Sequence, residues 1–90
     1  MTTKYRKLPL IVEAMQWTGD NLNDVELFLG DRYMGYSSPH NYLVFRTCPF
    51  KATHRVHPGD WVVKDIDGEF VAVRPDVFEM AYEKVVRSQD

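Results

Sequence analysis

A lone cysteine, Cys48, excludes an intrachain disulfide, and the chain carries no paired-cysteine framework of the kind that staples small secreted proteins. No apolar run approaches the roughly 20 residues needed to cross a bilayer. The most hydrophobic stretch, Leu8 to Met15, is interrupted by Pro9 and Glu13. A basic start ahead of that run superficially resembles a secretory signal, yet the run continues into strand-like sequence without a convincing cleavage site. The expectation is therefore a cytoplasmic protein with no membrane partner. Repeats, low-complexity tracts and domain linkers are missing too. Lys and Arg number 11 against 13 Asp and Glu, which excludes a strongly basic domain but not a local basic patch.

What is present suffices for one small core. Ninety residues leave little surface for a second domain, and a hydrophobic fraction of 44% can fill a core without a metal or disulfide staple. The expected organisation is one domain over 1–90, with a basic arm over 1–7 and a frayed tail over 87–90. Association into a homodimer is a candidate supplement to a small stability margin.

The pattern predicts an α+β fold: a mainly antiparallel β-sheet of about five strands, one helix after the first strand, and a short C-terminal helix or helical turn. Leu10 to Trp17 is rich in β-formers and apolar on both faces, which suggests a central strand. Asn21 is placed to cap a helix carrying Leu22, Val25, Phe28 and Leu29 at helical spacing, with Asp24 as an imperfect capping-box partner and Gly30 as its stop. Asp31 to Asn41, with Gly35, two serines and Pro39, reads as a loop. Tyr42–Thr47 and Ala52–Val56 are strand candidates. His57-Pro58-Gly59-Asp60 is a turn signal before a strand beginning at Trp61, and Asp67-Gly68 suits a type I′ turn to a returning strand, Glu69 to Val73. Val77, Phe78, Ala81 and Tyr82 give a helix starting near Asp76, and Glu83 to Val86 leans toward a terminal edge strand.

With these elements placed, Tyr5-Arg6-Lys7-Leu8-Pro9-Leu10-Ile11-Val12-Glu13-Ala14-Met15-Gln16-Trp17 resembles the opening of a family of small proteins encoded by tailed bacteriophages and prophages. Pro58-Gly59-Asp60-Trp61-Val62-Val63-Lys64, Gly68-Glu69-Phe70, Pro75-Asp76-Val77-Phe78-Glu79 and Tyr82-Glu83 resemble its second half. The family commonly has a Cys-Lys pair where this chain has Val73-Arg74, and often a glycine-containing connection where it has Asp65-Ile66-Asp67. The resemblance implies a phage or prophage origin and an accessory role in the host bacterial cytoplasm. It supplies no established catalytic residues, the family having no settled function, and no cofactor is expected.

The residues themselves point to binding more than to catalysis. His54, His57 and Asp60 are the most enzyme-like cluster, because imidazole moves protons near neutrality and a carboxylate can orient it. A small hydrolase-like site would use these histidines with Asp60 or Cys48. However, His54 and His57 lie an odd number of residues apart and so face opposite sides of a strand, and turn capping accounts for Asp60. A zinc site would need a bend before Pro58 and the approach of Cys48 or His40, so no metal is expected. Asp65, Asp67 and Glu69 lack an EF-hand pattern and read as a solvated hairpin.

Charge distribution is more telling. No acidic residue occurs between Asp31 and Asp60, an interval holding Arg32, Arg46, Lys51, Arg55, His40, His54 and His57 among tyrosines. Arg46 shares strand parity with Tyr42 and Val44, and Arg55 with Thr53 and His57, so pairing of those strands would gather the basic groups on one face. The expected recognition residues are Tyr33, Met34 and Tyr36 from the loop, with Arg46, Lys51, His54, Arg55 and His57. Pro58, Gly59, Asp60, Asp67 and Gly68 are assigned to structural turns. The expected partner is a host protein or a small anionic ligand. Nucleic acid is a weaker alternative, because no recognition motif accompanies the patch. Another alternative is a minor virion or assembly protein acting by self-association.

Overall fold

The computed structural model describes residues 2–4, 10–47 and 52–85. Basic arm 1–7 falls mostly, and tail 87–90 wholly, outside the described residues, as do Cys48 and Lys51. The domain is α+β, with antiparallel strands, a helix after the first strand and a short C-terminal helix. Among the described residues six strands form two three-stranded sheets, where the sequence suggested about five strands in one. The first sheet has the order β1-β5-β6, from Glu13–Gln16, Trp61–Lys64 and Phe70–Val73. The second is a meander, β2-β3-β4, from Tyr33–Ser37, Tyr42–Arg46 and Thr53–Val56. Helix α1 spans Leu22–Leu29 and α2 spans Pro75–Ala81.

The core lies between the two sheets and α1. Trp17, Val25, Leu29, Leu43, Phe45, Val56, Val62 and Phe70 are buried in one cluster, with Met15, Leu22, Phe28 and Tyr33 packed against it. Leu43 and Phe45 alternate with half-buried Tyr42 and Val44, so β3 turns one face inward and the other outward. On the first sheet Val62 joins the core, whereas Trp61 faces the opposite side, stacked on Phe78 of α2 with ring centroids 3.9 Å apart.

Several local expectations are corrected. β1 is an edge strand: apolar residues on both of its faces reflect the core on one side and the α2 side on the other, and they say nothing about how many strands flank it. Asp31–Asn41 is irregular only over residues 38–41, a turn, and is ordered before it. A 3₁₀ turn over Gly30–Arg32 leads into β2, whose pairing with β3 shifts register between Tyr33 and Gly35. Asn21 does precede α1, but its side chain makes no capping hydrogen bond. Its side-chain Oδ1 instead accepts from the Thr18 N–H at 3.0 Å, and its side-chain amide Nδ2 donates to the Gln16 backbone carbonyl at 2.9 Å. The Asp67-Gly68 turn is not type I′, since Gly68 has φ 88° while Asp67 has no positive φ. Gly68 N–H closes on the Asp65 carbonyl and Asp65 N–H on that of Glu69, as in a type I turn followed by a left-handed glycine. Residues 82–85 form no strand.

Tyr33 carries a testable electrostatic consequence. Burial, and secondarily the Glu26 carboxylate, raise its phenol above the ordinary value of 10.0. The folded state thus holds this proton longer than the unfolded chain. The resulting preference is in full force below about pH 10 and is lost as pH rises through the folded value. Urea unfolding on either side of pH 10 should show a smaller alkaline loss of stability for Tyr33→Phe than for the parent. Identical losses would contradict this origin.

Candidate functional site

The β3–β4 hairpin builds the most distinctive polar surface. Leu43 pairs with Val56, Val44 with Arg55, Phe45 with His54 and Arg46 with Thr53. Because Leu43, Phe45 and Val56 point into the core, Tyr42, Val44, Arg46, Thr53, Arg55 and His57 belong to the outer face. Tyr42 is its hub. The His40 ring stacks on it, with centroids 5.8 Å apart and planes 13° apart, while His57 lies 5.5 Å away at a tilt. The Arg55 guanidinium stands 4.9 Å from the Tyr42 centroid, a cation–π distance. No carboxylate among the described residues forms an ion pair with Arg55. The nearest acid to the cluster in these contacts is Asp60, whose carboxylate lies 3.8 Å from His57 Nδ1.

That carboxylate also holds the turn. It accepts the His57 backbone N–H at 3.0 Å, closing the turn in which the Asp60 N–H donates to the His57 carbonyl. Gly59, at φ 99°, donates its N–H to the Trp17 carbonyl at 2.6 Å, and its own carbonyl accepts from the Gln16 side chain at 3.0 Å. The Pro58-Gly59-Asp60 turn therefore anchors β1 and delivers His57 to the outer face.

The structure separates the residues that sequence reasoning grouped. Arg46, Arg55 and His57 share the outer face of the second sheet. His54 is on the other side, its ring 5.2 Å from that of Phe45. Tyr33 packs against the core. Tyr36 meets Trp17 edge-on at 5.9 Å and donates its hydroxyl to the Asn41 side chain, yet stays partly exposed on the side of the sheet opposite Arg55. Met34 is exposed at the register shift. Arg32 is drawn away to Glu69 at 3.5 Å and Asp31 at 3.7 Å. Lys51 lies outside the described residues. Asp67 accepts the Glu69 N–H, a turn contact. Among the described residues no three His, Cys, Asp or Glu side chains gather as metal ligands.

Sequence reasoning gave His40 and Tyr42 no place among the recognition residues. Strand parity carried part of the signal, since Tyr42 shares its face with Arg46. The stacking of His40 from the β2–β3 turn had none. A second feature went unread: a groove of about 660 Å³ on the outer side of the first sheet, where Leu10, Val12 and Ala14 face the stacked column Trp61, Phe78 and Tyr82. The four-residue spacing of Phe78 and Tyr82 was its only trace.

No protein-family model, curated protein or solved structure matches the chain.

Proposed function

We propose that this protein is a non-catalytic binding protein that captures an anionic ligand on the outer face of its second sheet. The observation that carries the reading is the convergence of Arg55, His57 and His40 around Tyr42 on one open face, with Arg46 further along it. An arginine fork and imidazole donors recognise oxyanions, and binding by charge and shape needs no acid–base pair. In keeping with its resemblance to small tailed-phage proteins, we propose that the protein acts in the cytoplasm of a phage-infected or lysogenic bacterium by occupying or sequestering its ligand. Titration calorimetry with tripolyphosphate tests this. Arg55→Ala should weaken binding about fivefold, the scale of one exposed ionic contact. Lys64→Ala, on the first sheet, should leave it unchanged. Equal losses in both variants, or no binding by the parent at millimolar ligand, would remove the proposal.

One observation favours a second reading, self-association through the first sheet. Ile11, which lines the groove beside α2, is 76% exposed, and Leu10 and Val85 are exposed with it. Light scattering at high micromolar concentration should then give a dimer mass; a monomer mass would dismiss this reading.

A further inference from the structure

We infer that the anion taken by the outer face of the second sheet is the phosphodiester backbone of a single-stranded nucleic acid, with a base stacked on His40. This rests on the reading of that face as an anion site and goes further by choosing an extended ligand over a small one. The first reason is shape. Arg55 and His57 lie on the outer face of a three-stranded sheet, away from the concavity beside α2 and the one around Asp20 to Asp24. An ion on an open sheet remains largely hydrated, and each exposed ionic contact adds little by itself. A polyanion repeats that contact along its length and releases a condensed counterion at each phosphate neutralised.

The second reason is spacing. Side chains on one face of a strand recur about every 6.8 Å, so Thr53, Arg55 and His57 form a straight row. Arg46 stands opposite Thr53, at the far end of the row from the Tyr42–His57 contact, and extends the track to about 13 Å. Among the described residues Arg55 forms no ion pair, and the acid that His57 meets, Asp60, also accepts the His57 backbone N–H and so sits at the turn end of the row. The acids Asp65, Asp67 and Glu69 belong to the β5–β6 hairpin, and Asp76 and Glu79 to α2.

The third reason is the stack. His40 is exposed while one of its faces rests on Tyr42, which leaves the other for a flat partner. Bases stack on aromatic rings without regard to sequence, but only where they are not paired within a duplex. Beside Tyr42 and Val44, β2 contributes Ser37 and Gly35, and nothing lies within 4 Å of where a Gly35 side chain would begin. The approach to the ring from that side is therefore low.

Fluorescence anisotropy with a labelled oligothymidylate over a salt series tests the inference, with circular dichroism confirming that each variant is folded. The parent should bind at low salt with a log–log slope of about −1.4, as for two single-strand phosphate contacts. Arg55→Ala should shallow the slope by about 0.7, and Arg55→Lys should largely restore it. His40→Ala should weaken binding at least about fivefold, the lower end of the loss of one base–aromatic stack. Thymidine monophosphate separates the two levels of the claim. If it binds as tightly as the oligomer, the extended-ligand inference is overturned while the anion site stands. Preference for a duplex, or an Arg55→Ala slope equal to the parent's, also overturns it. If oligomer, mononucleotide and tripolyphosphate all fail to bind, the anion site falls as well.

Discussion

Trp17→Ala is expected to remove about 3–5 kcal/mol, a large part of the roughly 5–15 kcal/mol that holds a small domain folded. Trp17 is 1% exposed and lies in the core between the sheets. Its backbone is tied to the Pro58-Gly59-Asp60 turn through its N–H to the Asp60 carbonyl at 2.9 Å and its carbonyl to the Gly59 N–H. Its indole N–H crosses to the second sheet's hairpin, donating to the Asn41 carbonyl at 3.1 Å. One side chain therefore fills the core and joins the two sheets. Truncation leaves a cavity where the surroundings are fixed by hydrogen bonds, so little collapse can compensate. Trp17→Phe keeps most of the apolar volume and loses the indole donor, for a smaller cost of about 1–2 kcal/mol. Urea unfolding followed by far-ultraviolet circular dichroism should rank parent, Phe and Ala in that order. An Ala variant within about 1 kcal/mol of the parent would contradict this role.

Asn41→Ala is expected to cost about 2–3 kcal/mol, from two separable causes. Asn41 is the one non-glycine residue with positive φ among the described residues, at 57°. Asparagine tolerates this region better than alanine, for which it costs about 1–2 kcal/mol. Its side chain also accepts the Tyr36 hydroxyl. Its N–H closes the β2–β3 turn onto the Ser37 carbonyl at 2.7 Å. Asn41→Gly should lose only the side-chain contact, about 1 kcal/mol, because glycine enters the left-handed region without a Cβ penalty. Tyr36→Phe should match it. Denaturation midpoints that place Gly below Ala would show that backbone conformation is not what constrains this position.

The elements legible in the sequence were those bounded by strong punctuation. Pro58-Gly59 and Asp67-Gly68 bracket β5 and announce β6, and Pro75 announces α2. β2 escaped because Gly35 and Ser37 take its outward positions and its register shift breaks the alternation of Tyr33 and Tyr36, so neither composition nor period resembled a strand. The edge position of β1 was hidden for a different reason. Hydrophobic pattern records what covers a strand's faces, and hydrogen bonding at its edges leaves no trace in side-chain polarity. Likewise, parity separated His54 from His57 but could not say which of them faces the core. Only the burial of Phe45, Leu43 and Val56 on the His54 side decides that. The candidate site was half visible: the row Arg55 and His57 follows from parity, whereas His40 reaches Tyr42 only because the Asn41 turn folds the chain back.

On the proposed function, the outer face of the second sheet is the recognition surface. Amide chemical shifts of the isotopically labelled protein, followed during titration with tripolyphosphate, test it most directly. Perturbations are expected to concentrate at His40, Tyr42, Val44, Arg55 and His57. Perturbations centred on Trp61, Phe78 and Tyr82, or none at millimolar ligand, would contradict it.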